Sequence, residues 1–189
     1  MDVNRLVNSF YNSNTYILSE KEYDYAWLID AGDAQEIISR LNSINKKIGG
    51  ILLTHTHFDH IYGLNDLFDY DPDIKIYTSS EGKESLFSDK FNLSKYHEKP
   101  FVFKGHERNI NILKDGWLEL WPGIPCSVCP TPGHDLSCLT YGIKEYLFTG
   151  DSYIPGKRTV AIFPRSNRNS AAESTNKILS LLRDKKYIC

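Results

Sequence analysis

Side chains that can bind a metal ion are concentrated in one short segment of the sequence. The segment follows an apolar run and contains His55, His57, Asp59 and His60. In an extended chain, side chains two residues apart point the same way, so His55 and His57 can reach one ion while Asp59 and His60 turn toward another. Imidazoles with a carboxylate are the ligands that zinc prefers. The pattern predicts two adjacent metal sites, in preference to a loop of solvated or helix-capping polar residues.

The segment resembles the H-x-H-x-D-H signature of the metallo-β-lactamase superfamily. Three further motifs are similar to motifs of that family and occur in the same order along the chain: Leu28–Asp33, Thr131–His134 and Phe148–Asp151. Four motifs in one order are more specific than any single motif. The resemblance extends from about Asn14 to the last residue.

The resemblance implies a set of six metal ligands. They are, for the first metal, His55, His57 and His134; for the second metal, Asp59 and His60; and, as the bridge, Asp151. It also implies that Asp30 supports the ligand loop from behind. The expected cofactor is Zn²⁺, one or two ions, with Fe or Mn as other possibilities. Two cations roughly 3.5–4 Å apart share a water and lower its pKa from about 15.7 toward 7. The resulting hydroxide is the expected nucleophile, and Asp59 is expected to orient it.

The sequence departs from the family pattern near its C-terminus. The family has a further histidine ligand just after the strand that follows the penultimate helix, whereas no histidine follows His134 here. The chain ends at Lys185–Cys189, where a last strand is predicted to begin. Two explanations remain open: the last strand and ligand are missing from a shortened chain, which we favour, or the second site is incomplete and consists of Asp59, His60 and Asp151. The missing imidazole would weaken the second metal more than the first.

Strands and helices alternate along the chain, as judged from hydrophobic periodicity and turn residues. The predicted strands are Asn4–Val7, Asn14–Leu18, Tyr25–Ile29, Gly50–Thr54, Ile74–Tyr77, Phe101–Phe103, Ile110–Leu113, Trp117–Trp121, Cys126–Pro130, Ser137–Gly142, Glu145–Thr149 and Lys185–Cys189. The predicted helices are Ala34–Leu41, Glu81–Phe87 and Ala171–Leu182. Asp33 is placed to cap the first helix. Gly50–Thr54 is apolar up to its last residue, so we expect it to be an interior strand covered on both faces.

The length and composition indicate one globular domain. The 189 residues, of which 41% are hydrophobic and 24% charged, suffice for a single core. We therefore expect one metallo-β-lactamase-like domain over residues 1–189. The resemblance implies an α+β fold, a four-layer αββα sandwich in which two mixed β-sheets are flanked by helices.

The charge balance and the N-terminus exclude several classes of protein. The net charge is −2, from 22 Lys+Arg and 24 Asp+Glu, and lacks the excess of positive charge expected of a nucleic-acid binder. Neither a secretory leader nor a long apolar run is evident, so we expect a cytoplasmic protein without a membrane partner. The four cysteines, Cys126, Cys129, Cys138 and Cys189, are expected to be reduced, the first three packed in the core. The oligomeric state is not indicated.

A basic segment follows Asp151 and suggests the charge of the substrate. Between Ser152 and Ala172 there is no acidic residue. Four cations lie in this segment: Lys157, Arg158, Arg165 and Arg168. They predict an anion-binding rim, with a solvated basic loop as the alternative. His97 and His106 lie in charge-rich contexts and are expected to be surface residues rather than ligands.

The expected activity is hydrolysis of an ester, thioester or related bond in a small, anionic molecule. Within the superfamily the sequence is most similar to compact, glyoxalase II-like hydrolases. The alternatives are a mononuclear iron sulfur (persulfide) dioxygenase, a nuclease, which the charge disfavours, and a non-catalytic metal-binding protein with a degenerate second site. Metal content, oxygen uptake and substrate panels distinguish them.

Overall fold

The structure is a computed structural model that describes residues 1–184. Its strands are β1 (Asp2–Val7), β2 (Asn14–Ser19), β3 (Tyr25–Ile29), β4 (Lys47–Leu52), β5 (Ile76–Thr78), β6 (Ile110–Ile112), β7 (Gly116–Trp121), β8 (Ile124–Pro130), β9 (Leu139–Ile143) and β10 (Tyr146–Phe148). Its α-helices are α1 (Ala34–Ser43), α2 (Phe58–Ile61), α3 (Leu64–Tyr70), α4 (Ser80–Leu86) and α5 (Arg168–Asp184). Within residues 1–184, every helix is too short or too polar to span a lipid bilayer.

The strands form two sheets. The first has the order β1-β2-β3-β4-β5-β6, antiparallel from β1 to β3 and parallel from β3 to β6. The second has the order β10-β9-β8-β7 and is antiparallel throughout its described strands. The predicted αββα sandwich is confirmed, and within residues 1–184 the first sheet is mixed and the second is antiparallel. The strand predicted over Lys185–Cys189 lies outside the described residues.

Side chains of the first sheet alternate between two hydrophobic cores. On β3, Ala26 and Leu28 face a core shared with the helices α1 to α4, whereas Trp27 and Ile29 face a core between the two sheets. Leu52 on β4 also faces the inter-sheet core, and its neighbours face the helices. This alternation follows from the two-residue period of a strand. It confirms that β4 is an interior strand with both faces covered.

The cysteines pack as small hydrophobic side chains. Cys126, Cys129 and Cys138 are free and buried, and Cys126 belongs to the inter-sheet core. Burial raises the pKa of Cys126 and of Cys138 to about 12. The expectation of reduced core cysteines is confirmed for these three, while Cys189 lies outside the described residues.

One predicted strand is wrong. Phe101 and Phe103 are buried in the helix-side core, but they form no ladder with a neighbouring strand. Side chains take over the hydrogen bonds: the Phe101 amide donates to Ser94 Oγ at 2.8 Å, and Asn92 donates to the Phe101 carbonyl at 3.0 Å. The alternating apolar pattern therefore reports burial here, not strand pairing.

The two short helices after the histidine segment are absent from the sequence prediction. α2 begins at Phe58 with His57 at its N-cap position, and α3 follows almost at once. Asp59 and His60 thus lie on a helix and leave the direction of the preceding extended chain. Asp33 does precede α1 as predicted, but its carboxylate accepts hydrogen bonds from Ser9 and Tyr62 rather than from the helix amides.

Candidate metal centre

Three histidines from two distant segments meet at the end of β4. His55 and His57 lie on the extended chain that leaves the sheet, and His134 follows β8. His57 Nδ1 and His134 Nε2 are 2.9 Å apart, and the ring centroids of His55 and His134 are 5.0 Å apart. All three side chains are buried, with facing nitrogens close enough to share one ion. The structure therefore brings together the three residues expected at a first metal.

A second group lies beside the first and is joined to it by Asp151. His60, on α2, has Nε2 3.5 Å from Asp59 Oδ2 and 3.6 Å from Asp151 Oδ1. The other oxygen of Asp151 is 3.5 Å from His134 Nε2. His55, His60 and Asp151 also offer ligand atoms within reach of one ion. One carboxylate thus spans both histidine groups, which is the position expected of a bridge.

Buried nitrogen atoms without partners show that the site suits a metal ion. His55 Nε2 and His60 Nε2 are buried and have no hydrogen-bond partner among the described residues. Buried polar atoms in native proteins are nearly always paired, so such atoms call for a ligand. The surrounding donors are imidazoles and carboxylates, which suit zinc or iron. These residues therefore fit a metal, and six side chains could hold it: His55, His57, Asp59, His60, His134 and Asp151.

In His134 and His60, the ring nitrogen that faces away from the site is held by a neighbouring group of the protein. His134 Nδ1 donates to the Val160 carbonyl at 2.7 Å, and His60 Nδ1 lies 2.8 Å from Asp30 Oδ2. Because a carbonyl only accepts, the neutral His134 ring keeps a lone pair on Nε2, toward the site. Such anchoring fixes both the ring orientation and the nitrogen that is free to bind.

Asp30 lies behind the ligand loop, as the resemblance implies. It has a left-handed backbone, with φ of 60°, and its side chain is 2% exposed. Its carboxylate accepts hydrogen bonds from the Thr54 amide and hydroxyl, both at 2.7 Å, as well as facing His60. Asp30 therefore joins the end of β4 to α2.

Burial and neighbouring charges shift the pKa values of the site residues in opposite directions. Burial and three neighbouring histidines hold the pKa of His55 well below its ordinary value. The pKa of His60 lies well above its ordinary value, because Asp30, Asp151 and Asp59 outweigh the opposing effect of burial. Burial alone would raise the pKa of Asp151, but the histidines around it lower the value to about 2. A proton is thus disfavoured on His55 and favoured on His60, which lies among the carboxylates.

The four cations predicted to bind substrate fall into two groups. Lys157, Arg158 and Arg168 line a groove of about 640 Å³ whose wall includes Val160, the residue that anchors His134. The structure gives these three cations no ion pair within residues 1–184. Arg165 instead points into the protein, where it pairs with Glu84.

Sequence reasoning missed two residues that contact the histidines. The buried side chain of Asp135 has Oδ2 3.7 Å from His57 Nε2, and the Phe163 ring packs edge-on against both His57 and His134 at centroid distances of 5.2 and 5.7 Å. The position of Asp135 directly after a ligand was a usable signal. His97, expected at the surface, is half-buried because its ring packs against Phe58 at 4.4 Å.

Comparison with known proteins agrees with this geometry. The family model described as the metallo-beta-lactamase superfamily matches residues 9–188. A protein of Streptococcus pyogenes serotype M6 named "Probable metallo-hydrolase" is 32% identical in an alignment of 166 residues, which covers 80% of this chain and 66% of that protein. The chain thus spans slightly under two thirds of this relative.

Solved structures share the fold. The B3 metallo-beta-lactamase BLEG-1 superposes with a TM-score of 0.85 at 24% identity, over 95% of this chain and 87% of that one. TTHA1623, solved in a di-iron-bound form, superposes with a TM-score of 0.80 at 21% identity, over the same shares of the two chains. The chain belongs to the metallo-beta-lactamase superfamily.

Proposed function

We propose that this protein is a zinc-dependent, glyoxalase II-like hydrolase that cleaves an ester or thioester bond in a small, anionic molecule. The observation that carries the proposal is the carboxylate of Asp151, which spans two groups of histidines whose free nitrogens are buried without partners. The "Probable metallo-hydrolase" relative from Streptococcus pyogenes supports a hydrolytic reaction.

The proposed ligand assignment follows the two groups in the structure. His55, His57 and His134 would hold the first metal, Asp59 and His60 would hold the second, and Asp151 would contribute to both sites. When bound, the metals supply Lewis acidity and a water of lowered pKa. The chain itself contributes orientation: Asp30 and the Val160 carbonyl fix the rings of His60 and His134. Asp59, which is less buried than His60 and His134, would be available to orient a water at the metal centre.

The basic groove indicates an anionic substrate. Lys157, Arg158 and Arg168 line it together with uncharged side chains, and no carboxylate lies among its lining residues. Arginine pairs well with carboxylate or phosphate. Because Val160 lines this groove and its carbonyl holds His134, an anionic group in the groove would lie next to the residues that support the metal centre.

The test combines metal analysis with a substrate panel. Protein purified without added metal is analysed for zinc, iron and manganese, and is then assayed with anionic and neutral esters and thioesters of matched size. We expect close to two zinc ions per chain and faster hydrolysis of the anionic members, lost on chelation and restored by zinc.

Other outcomes would overturn the proposal in distinct ways. A single iron with oxygen uptake in the presence of a persulfide would establish the dioxygenase alternative. Full metal occupancy with no turnover across the panel would favour a non-catalytic metal-binding protein.

Exchange of Asp151 for asparagine should abolish both the second metal and the turnover.

A further inference from the structure

We propose that Arg165 is a positioning residue for the first metal, acting through Asp135 on His57. This inference rests on the metal-binding part of the proposed function. It gives Arg165 a role in holding the metal centre, in place of the substrate contact expected from its charge alone.

Three buried polar atoms without hydrogen-bond partners converge at one point. They are His57 Nε2, Asp135 Oδ2 and Arg165 Nε. The carboxylate oxygen lies between the two nitrogens, 3.7 Å from His57 Nε2 and 3.6 Å from Arg165 Nε. Each distance is slightly too long for a hydrogen bond. The three atoms therefore face one another, with the carboxylate as the shared neighbour of both nitrogens.

The two ring nitrogens of His57 face different partners, Nδ1 toward His134 and Nε2 toward Asp135. His134 Nε2 carries a lone pair, because Nδ1 of that ring donates to Val160. His57 Nδ1 lies 2.9 Å from His134 Nε2, and both residues belong to the group that could share one ion. A His57 ring that offered Nδ1 to a metal would carry its hydrogen on Nε2, where Asp135 is placed to accept it.

Asp135 is held in place from both sides. Its Oδ1 accepts hydrogen bonds from the Ser137 amide at 2.8 Å and from the Ser137 hydroxyl at 2.6 Å. Its side chain is 1% exposed, and burying a charged group is costly unless it is paired. Arg165 supplies the pairing charge on the side opposite Ser137.

The guanidinium of Arg165 is fixed by three residues, two on α4 and one in the segment that follows it. Nη1 pairs with Glu84 Oε2 at 3.2 Å, Nη2 donates to the Glu81 carbonyl at 3.2 Å, and the Phe91 ring lies 4.7 Å beneath it. Nη1 and Nη2 therefore face Glu84 and Glu81, and Nε is the nitrogen that faces Asp135. A lysine ammonium cannot meet these separate acceptors in one plane.

The backbone around Arg165 also holds His134. Ser166 donates its hydroxyl to the His134 carbonyl at 2.5 Å, and the Asn167 amide donates to the Gly133 carbonyl at 2.8 Å. The ring of Phe163 covers His57 and His134. Residues 160–167 thus form one strap that anchors both histidines, with Arg165 as its charged member.

The experiment measures metal affinity directly. Metal-free wild type, Arg165→Met, Arg165→Lys and Asp135→Asn are titrated with Zn²⁺ against a chromophoric chelator. We expect each variant to bind the first metal about tenfold to hundredfold more weakly than wild type, as is typical when the partner of a ligating histidine is lost. The effects of Arg165→Met and Asp135→Asn should be less than additive in the double variant, because the two act as one unit.

Arg158→Met is the matched control, since Arg158 is a cation of the same segment that lines the groove. Its zinc affinity should equal that of wild type. Circular dichroism establishes that each variant is folded, and the absorption spectrum of the Co²⁺-loaded proteins should change for Arg165→Lys but not for Arg158→Met.

Wild-type zinc affinity in folded Arg165→Met and Asp135→Asn would overturn the inference and leave the proposed hydrolase untouched. If wild type binds zinc but hydrolyses nothing, the proposed reaction fails, while a weakened Arg165→Met still supports the positioning role. Absence of zinc binding by wild type would overturn both.

Discussion

Replacement of Asp30 by asparagine should weaken the second metal selectively. Asparagine has the same shape and tolerates the left-handed backbone of Asp30. It can still accept from the Thr54 amide. It carries an NH₂ group, however, where Asp30 Oδ2 meets the Thr54 hydroxyl and His60 Nδ1.

The magnitude follows from the bond to His60. An NH₂ group cannot accept from His60 Nδ1, so the ring hydrogen moves to Nε2, the atom that faces Asp59 and Asp151. A hydrogen bond to a charged group contributes about 1.5–3 kcal/mol. Since about 1.4 kcal/mol corresponds to a factor of ten, the second metal should bind about tenfold to hundredfold more weakly.

Competition titration of the metal-free variant with zinc provides the assay, with metal content measured after gel filtration. Asp33→Asn is the control, because Asp33 lies three residues away and contacts Ser9 and Tyr62 instead of a histidine. We expect Asp30→Asn to keep one metal and Asp33→Asn to keep two. Equal affinity of Asp30→Asn and wild type for the second metal would refute the reasoning, as would an equal loss in the control.

Three further predictions concern stability and reactivity. Tyr62→Phe removes the 2.6 Å hydrogen bond to Asp33 and should lower the free energy of unfolding by about 1 kcal/mol; an unchanged urea midpoint would contradict this. Because the pKa of Cys126 and of Cys138 is raised to about 12, both thiols are protonated near neutral pH and should resist iodoacetamide in the folded protein. Labelling is measured by peptide mass spectrometry, and rapid labelling of either cysteine would show that the core opens. Chelation should lower the Tm, since free metal at one hundred times Kd stabilises the native state by about 2.7 kcal/mol; identical melting curves with and without chelator would argue against a metal site in the folded chain.

Local sequence patterns account for most of the elements of the fold. β3 has the bounds that its apolar run predicts, and α1 begins at the predicted residue. Periodicity and turn chemistry are properties of neighbouring residues, so they are legible without tertiary structure. The same signal fails at Phe101–Phe103, because an alternating apolar pattern describes burial and does not specify what pairs with the backbone.

The candidate ligands could also be identified from the sequence, because their types and spacing resemble the motifs of a family. His55, His57 and His60 lie within six residues, and the motifs that end in His134 and Asp151 follow in the family order. That these side chains do meet, across up to 96 positions of the chain, is decided by the packing of β4, β8 and β10 in the two sheets.

The residues that contact and orient the ligating histidines are determined by the tertiary structure. By sequence Arg165 is one cation among four, but in the fold α4 and Phe91 turn it away from the groove and toward Asp135. The amino-acid sequence alone determined which residues can bind a metal, since that depends on the chemistry of each side chain. Which nitrogen of each imidazole faces the site depends on partners such as Val160 and Asp30, which come from distant segments and are brought there only by folding.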